Sequence, residues 1–276
     1  MIFSIAPMMK WTDQHCRYFH RILTKKTILF TEMISVDAIL YGPQHKLLSS
    51  NYFDNSTIIQ VGGNDPKKLG KVAKIIEKYG YNEINLNIGC PSNRVKSGNF
   101  GACLMASPQI VSDCVKSIKN NSKLKVSIKC RIGINDMSSM DLDRFVSITS
   151  NAGVKKFIIH ARKAILGGFS PKQNREIPPL DYQRVEKLKK ENNDLIIILN
   201  GGIVSLEAGI KHTCNLKLDG FMIGREAYKN PYILSFADKL IYGASDGENI
   251  SRRIVAFKVA DYIDEFLFDN NDHLIT

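Results

Sequence analysis

Short apolar runs rich in β-branched and aromatic residues recur along most of the chain, separated by stretches with helical spacing. The runs Ile2 to Ala6, Ile28 to Met33, Thr57 to Val61, Glu83 to Asn87, Lys125 to Cys130, Lys156 to His160, Leu195 to Asn200 and Gly220 to Ile223 predict eight strands. Between them, Thr12 is placed to cap a helix through Thr24. Asp65-Pro66 opens another, in which Leu69, Val72, Ala73 and Ile76 form one stripe ending near Gly80. Ser107-Pro108 opens a third, Leu142 to Ala152 is closed by Gly153, Asp181 to Glu191 carries Val185 and Leu188, and Ser205 to Lys211 follows a glycine pair. Apolar strands that alternate with helices belong to parallel sheets covered on both faces. A closed (β/α)8 barrel and an open doubly wound sheet both satisfy that pattern. Polar and glycine residues follow the strands at Pro7-Met8-Met9, Gly62-Gly63, Gly89-Cys90-Pro91, Arg131, Ala161-Arg162, Gly201-Gly202 and Gly224-Arg225. In a barrel these ends meet at one mouth, so the closed form, the TIM barrel, is the expected fold.

After Asn230-Pro231 the rhythm stops. Tyr232 to Ile241 and Arg252 to Phe268 read as amphipathic helices around a Gly243 to Gly247 loop, and Asn270 to Thr276 as a frayed end. The chain therefore divides into a barrel over 1–230 and a small C-terminal helical segment over 231–276. Roughly 45 residues make a poor independent core, so that segment packs on the barrel or is part of a longer helical domain.

Composition narrows the partners. Across 276 residues, 38 Lys and Arg outnumber 27 Asp and Glu, a formal charge of +11, which points to a polyanion, nucleic acid above all. Hydrophobic residues at 44% and charged residues at 24% exclude a disordered or fibrous chain. Apolar stretches such as Leu195 to Leu199 are too short to span a bilayer, and the N-terminus has no signal-peptide pattern. A cytoplasmic protein without a membrane partner is expected, with a monomer as the default. The six cysteines form no C-x-x-C pair and accompany no clustered histidines, so neither disulfides nor a metal are expected.

Candidate chemistry gathers at the strand ends. Asn200-Gly201-Gly202 and Gly224-Arg225 follow the last two strands, where barrels commonly hold a phosphate; ordinary turn glycines explain either pair alone. Lys129 ends an apolar strand and reads as a Schiff-base nucleophile, as a fixed cation beside a cofactor, or as a charge snorkelling to the rim. His160 and Gln60 end strands in the same way. Cys90 lies in a Gly/Pro turn beyond a strand, as a nucleophile, a general acid or a small turn residue, and Asn87 can hydrogen-bond a planar amide or imide ring. Cys103 reads as structural. Arg162, Lys163, Lys172, Gln173, Asn174 and Arg175 crowd one loop, while Arg94 and Lys96 flank Cys90. Such charges usually form a solvated face, but both loops project from the proposed mouth. Arg252, Arg253 and Lys258 read as a solvated helix face.

Taken in order, these stretches resemble the tRNA-dihydrouridine synthases, A-type. The resemblance rests on Ala6 to Asp13, His15 to Phe19, Asn85 to Met105, His160 to Ala164, Ser170 to Lys172, Asn174 to Leu180 and Gly224 to Tyr228, and it covers the chain to about Pro231. It implies an FMN-binding barrel with a helical tRNA-binding domain, reducing the C5–C6 bond of uridine at positions 20/20a of the tRNA D-loop with NADPH. By that resemblance Pro7, Met8 and Met9 frame the flavin, Gln60, Lys129 and His160 contact its ring, and Asn200, Gly201, Gly202, Gly224 and Arg225 hold its phosphate. Cys90 is then the proton donor, Asn87 binds the uracil, and Arg162, Lys163 and Arg175 face the RNA. Family members usually continue beyond position 276, so residues 231–276 are expected to be part of a fuller RNA-gripping bundle. Three other readings are a reductase or oxidase of a free pyrimidine, a phosphate-binding lyase using Lys129, and an RNA-binding remnant without catalysis.

Overall fold

The computed structural model describes residues 1–49, 56–244 and 249–271. Eight strands, β1 (Ile2–Ile5), β2 (Leu29–Ser35), β3 (Thr57–Gly62), β4 (Glu83–Ile88), β5 (Lys125–Arg131), β6 (Lys156–His160), β7 (Ile196–Asn200) and β8 (Gly220–Ile223), form one sheet in the order β1-β8-β7-β6-β5-β4-β3-β2. Every neighbouring pair is parallel. The remaining gap, between β1 and β2, is closed by a parallel bridge from Ser4 to Ile28. There the Ile5 N–H donates to the Ile28 carbonyl at 2.9 Å and the Ile28 N–H to the Phe3 carbonyl at 3.1 Å. An open doubly wound sheet leaves two free edges; here the first strand bonds to both the last and the second, and the barrel is closed.

The chain places α1 (Gln14–Leu23) after β1, α2 (Val36–Tyr41) and α3 (Gln44–Leu48) after β2, and α4 (Pro66–Lys78) after β3. Then come α5 (Asn93–Ser97) and α6 (Pro108–Asn121) after β4, α7 (Ser139–Asn151), α8 (Tyr182–Glu191) and α9 (Leu206–Asn215) after the next three strands, and α10 (Arg225–Lys229) after β8. The helices α2, α3, α5 and α10 are too short to give a periodic signal and are absent from the sequence-based reading.

Capping chemistry moves two expected helix starts. Asp13, rather than Thr12, caps α1 by accepting from the Cys16 N–H at 2.8 Å, because the Thr12 hydroxyl is held by the Met8 backbone. α7 starts before Leu142, since Ser138 and Asp141 form a reciprocal capping box. Beyond the barrel, the single helix expected from Tyr232 to Ile241 is instead a 3-10 turn over Pro231–Phe236 followed by α11 (Ala237–Tyr242). The Ser235 hydroxyl donates to the Tyr232 carbonyl at 2.8 Å, tying residues three apart and favouring the tighter winding. α12 (Arg252–Asn271) runs past Phe268 and takes in Asn270 and Asn271; residues 245–247 of the expected loop and 272–276 of the expected frayed end lie outside the described residues.

Two apolar cores result. Phe3, Phe145, Phe157 and Phe221, all fully buried, anchor the layer between the strands and helices. Ala6, Phe30, Ile58, Ile158, Ile198 and Met222 form a second, smaller cluster that fills one side of the lumen. The C-terminal helices pack on the barrel wall. Tyr262 of α12 stacks on Tyr18 of α1 with ring centroids 3.8 Å apart, and its hydroxyl meets His15 Nδ1 at 2.8 Å. The Tyr242 hydroxyl bonds both the N–H and the carbonyl of Phe3. Asp238 of α11 accepts from the Thr24 hydroxyl at 2.6 Å, from the Lys25 N–H at 2.7 Å and from the Lys26 N–H at 3.2 Å. Among the described residues no helix is long and apolar enough to cross a membrane. Removing the Asp238 carboxylate takes the acceptor from one part-buried hydroxyl and two exposed N–H groups, so Asp238→Ala is expected to lower folding stability by about 1 kcal/mol, read as a lower midpoint in urea at unchanged slope.

Candidate active site

The strand register sets side by side most of the side chains expected to matter. Asn87 of β4 pairs with Lys129 of β5, Arg131 of β5 with His160 of β6, and His160 with Asn200 of β7. Gln60 lies one strand further on, in β3. These positions occupy the carboxyl ends of consecutive strands, where the βα loops converge.

Cys90 is held through its backbone. Its N–H donates to Asn87 Oδ1 at 2.9 Å, beside that of Gly89 at 3.2 Å, while Asn87 Nδ2 donates to Gln60 Oε1 at 2.8 Å. The Cys90 thiol, partly exposed, donates to the Ser92 hydroxyl at 3.4 Å. Cys103 turns away, its sulfur against the Phe100 carbonyl at 3.1 Å. The side chains of Arg94 and Lys96 lie outside the described residues.

Lys129 donates from Nζ to Asn200 Oδ1 at 3.0 Å, and Asn200 Nδ2 in turn donates to the Met222 carbonyl at 2.9 Å. The second bond fixes which way the amide points, so Asn200 presents its oxygen to the lysine. Burial, reinforced by the charge of Arg131, lowers the Lys129 ammonium to about 8. His160 is driven well below the ordinary histidine value, chiefly by burial and then by Arg131 and Lys129, so its ring is neutral at pH 7. Gly201, at φ +106°, makes room for that ring: a Cβ there would lie 2.4 Å from His160 Cδ2.

Arg131, noted in the sequence only as a polar residue after a strand, is a clamp. Its buried guanidinium donates to the Gly89 carbonyl at 3.0 Å, the Lys163 carbonyl at 3.1 Å and the Asn174 carbonyl at 2.9 Å. It thereby ties the Cys90 turn to the basic loop after β6. Burial pulls it down to about 10. Asn174, fully buried, pins that loop through its side chain to the backbone of Ile165 and Phe169. Arg162 donates to the Pro178 carbonyl and Lys163 to the Met137 carbonyl at 2.6 Å, so both brace the loop, while Arg175 stands exposed. Arg225 pairs with Glu176 at 2.8 Å across the mouth. In the loop after β1, Met8 packs against the lumen cluster and Met9 is exposed. Sequence reasoning missed Arg131 and Glu176 as structural partners because each acts on backbone or charge far away in the chain, and Asn174 because it braces its own irregular loop, where no periodicity marks it. No group of three or more His, Cys, Asp or Glu among the described residues is arranged to hold a metal ion.

A closed barrel with a thiol, a lysine of lowered proton affinity and a basic rim at its carboxyl end defines a barrel enzyme for an anionic substrate. The dihydrouridine synthase family model matches residues 4–262, and the chain belongs to that family. Members are flavin-dependent oxidoreductases acting on tRNA. The chain is 49% identical over 266 residues to the tRNA-dihydrouridine(20/20a) synthase of Vibrio vulnificus, covering 96% of this chain and 80% of that one. It is 51% identical over 246 residues to the protein of the same name from Escherichia coli O6:H1, covering 88% and 73% of the two chains.

The lowered proton affinity of Lys129 can be measured directly. A titration of lysine side-chain resonances, with Lys129→Arg to assign the signal, is expected to show one midpoint near 8, the cation prevailing below and the amine above. A midpoint in the ordinary lysine range contradicts the burial described here.

Proposed function

We propose that this chain reduces the C5–C6 double bond of uridine to 5,6-dihydrouridine at positions 20/20a of the tRNA D-loop, in the cytoplasm, with FMN as its flavin and NADPH as reductant. The observation that carries the reading is the Cys90 turn, fixed by Asn87 at the strand end adjoining Lys129. About half of all positions match relatives whose name states this reaction.

The residues fit an FMN. Gly201 and Gly202 both hold positive φ, and Gly224 with Arg225 follows the adjoining strand β8, a backbone surface bare of side chains beside one guanidinium. Asn200 has its side chain committed to Lys129, so we assign the phosphate to Gly201, Gly202, Gly224 and Arg225 and give Asn200 the task of orienting the lysine. Gln60, Lys129 and neutral His160 face the ring, with Pro7, Met8 and Met9 along its edge. An FMN held there and reduced by NADPH would be the source of the hydride for uracil C6.

The remaining chemistry belongs to the chain. Hydride addition leaves an electron pair at C5, and the Cys90 thiol, partly exposed and bonded to the Ser92 hydroxyl at 3.4 Å, delivers the proton there. Asn87 has one Nδ2 hydrogen beyond the one given to Gln60, free for a uracil carbonyl. Lys129, as a cation, favours charge accumulating at its side of the site. Outside, exposed Arg175 meets the phosphate backbone, while Arg162 and Lys163 hold its loop in shape. Residues 1–230 form the catalytic domain, and 231–276 supply part of the helical RNA-binding domain.

Cys90→Ala is expected to leave FMN binding and NADPH oxidation within about twofold and to cut dihydrouridine formation by roughly 100-fold or more, the range of a lost general acid. Unchanged tRNA modification by that variant sinks the proton-donor role. Arg175→Ala is expected to weaken tRNA binding and to reduce the slope of log affinity against log salt by about 1, measured by filter binding.

A further inference from the structure

The hydrogen bonds that fix Cys90 continue far below the mouth. Gln60 Nε2 donates to Asn85 Oδ1 at 2.7 Å, Asn85 Nδ2 to Ser127 Oγ at 2.9 Å, and Ser127 Oγ to Glu83 Oε1 at 2.6 Å. The other oxygen of Glu83 accepts from Lys156 Nζ at 2.7 Å. Gln60, Asn85 and Ser127 are buried almost completely, and Glu83 and Lys156 nearly so.

The direction of this ladder is forced from both ends. A carboxylate only accepts, so the single Ser127 hydrogen goes to Glu83, and Ser127 must then receive a hydrogen from Asn85. That turns the Asn85 oxygen toward Gln60, which gives up Nε2 and keeps Oε1 for Asn87. Asn87 spends Nδ2 on it and is left with Oδ1 facing the N–H groups of Gly89 and Cys90, which can only donate. Every amide in the series has one orientation consistent with its neighbours. Flipping any of them sets two donors or two acceptors face to face in a buried site and leaves each unsatisfied.

We infer that Glu83, Ser127 and Asn85 are positioning residues for the Cys90 turn, a polarised ladder rooted in the Glu83–Lys156 ion pair that dictates which atoms Gln60 and Asn87 present at the mouth. The inference deepens the functional reading above, and its primary readout is independent of catalysis. Ser127→Ala removes one oxygen from the middle of the ladder. Ser4→Ala is the control: that hydroxyl is equally buried in the lumen but lies off the ladder, with no hydrogen-bond partner among the described residues.

In Ser127→Ala, amide exchange at Gly89 and Cys90 is expected to speed up on the order of tenfold, one lost buried hydrogen bond. Single-turnover uridine reduction should slow by a similar factor while the KM for tRNA stays as in the parent. Asn85→Leu, which breaks the same ladder with little change in volume, should do at least as much, and Ser4→Ala should match the parent. If Ser127→Ala and Asn85→Leu fold with parental protection at Cys90, the positioning role is overturned. If protection falls in both while the parent itself makes no dihydrouridine, the positioning role stands and the functional reading fails.

Discussion

A closed parallel barrel must fill its own lumen, and the rest of this molecule follows from how that filling is split. Six apolar side chains, Ala6, Phe30, Ile58, Ile158, Ile198 and Met222, pack together inside the ring. The inward positions of β4 and β5 carry Glu83, Asn85, Asn87, Ser127 and Lys129 instead. Polar groups so deep are costly unless hydrogen-bonded, and those of β4 and β5 bond to one another and to their neighbours. That bonding couples residues from four strands into one network, with the mouth at its upper end.

The loops above are organised by the same rule. The three carbonyls that Arg131 takes belong to two different loops, and each would otherwise face a crowded interior. One guanidinium thus sets the spacing between the thiol-bearing turn and the basic loop, with Asn174 stiffening the latter from within. The Arg225–Glu176 pair joins that loop to the end of β8. Both side chains are exposed, so solvent screens the pair and it orients the arginine more than it stabilises the fold.

The architecture was legible in the sequence because parallel strands buried on both faces leave a strong apolar signal, and all eight lie where that signal falls. Strand ends marked by glycine or a lone polar residue located Gln60, Asn87, Cys90, Lys129, His160 and Asn200. What those residues do to one another was less legible. Asn200 reads from its Asn-Gly-Gly turn as a phosphate contact, yet its side chain points inward to Lys129, a partner 71 positions away. Lys163 reads as an exposed cation, yet it closes on the Met137 carbonyl. Asn85 and Ser127 look like ordinary polar interruptions in strands, since their meaning depends on register across the sheet, which periodicity along one strand does not carry.

The concentration of cations at the mouth has a thermodynamic sign. Lys129 and Arg131 hold their protons less tightly when folded than when unfolded. The unfolded chain therefore binds more protons between the two values, so stability rises with pH across that window, from about 8 upward for Lys129. Below it, the folded state carries the full cost of burying the charge beside other cations, Arg162 and Arg175 among those acting on Arg131. An anion seated among these groups offsets that cost, and whatever it offsets appears as binding free energy. The mouth is in this sense kept unfavourable for the chain alone, so that a multiply charged ligand gains more from it than a neutral one of the same shape.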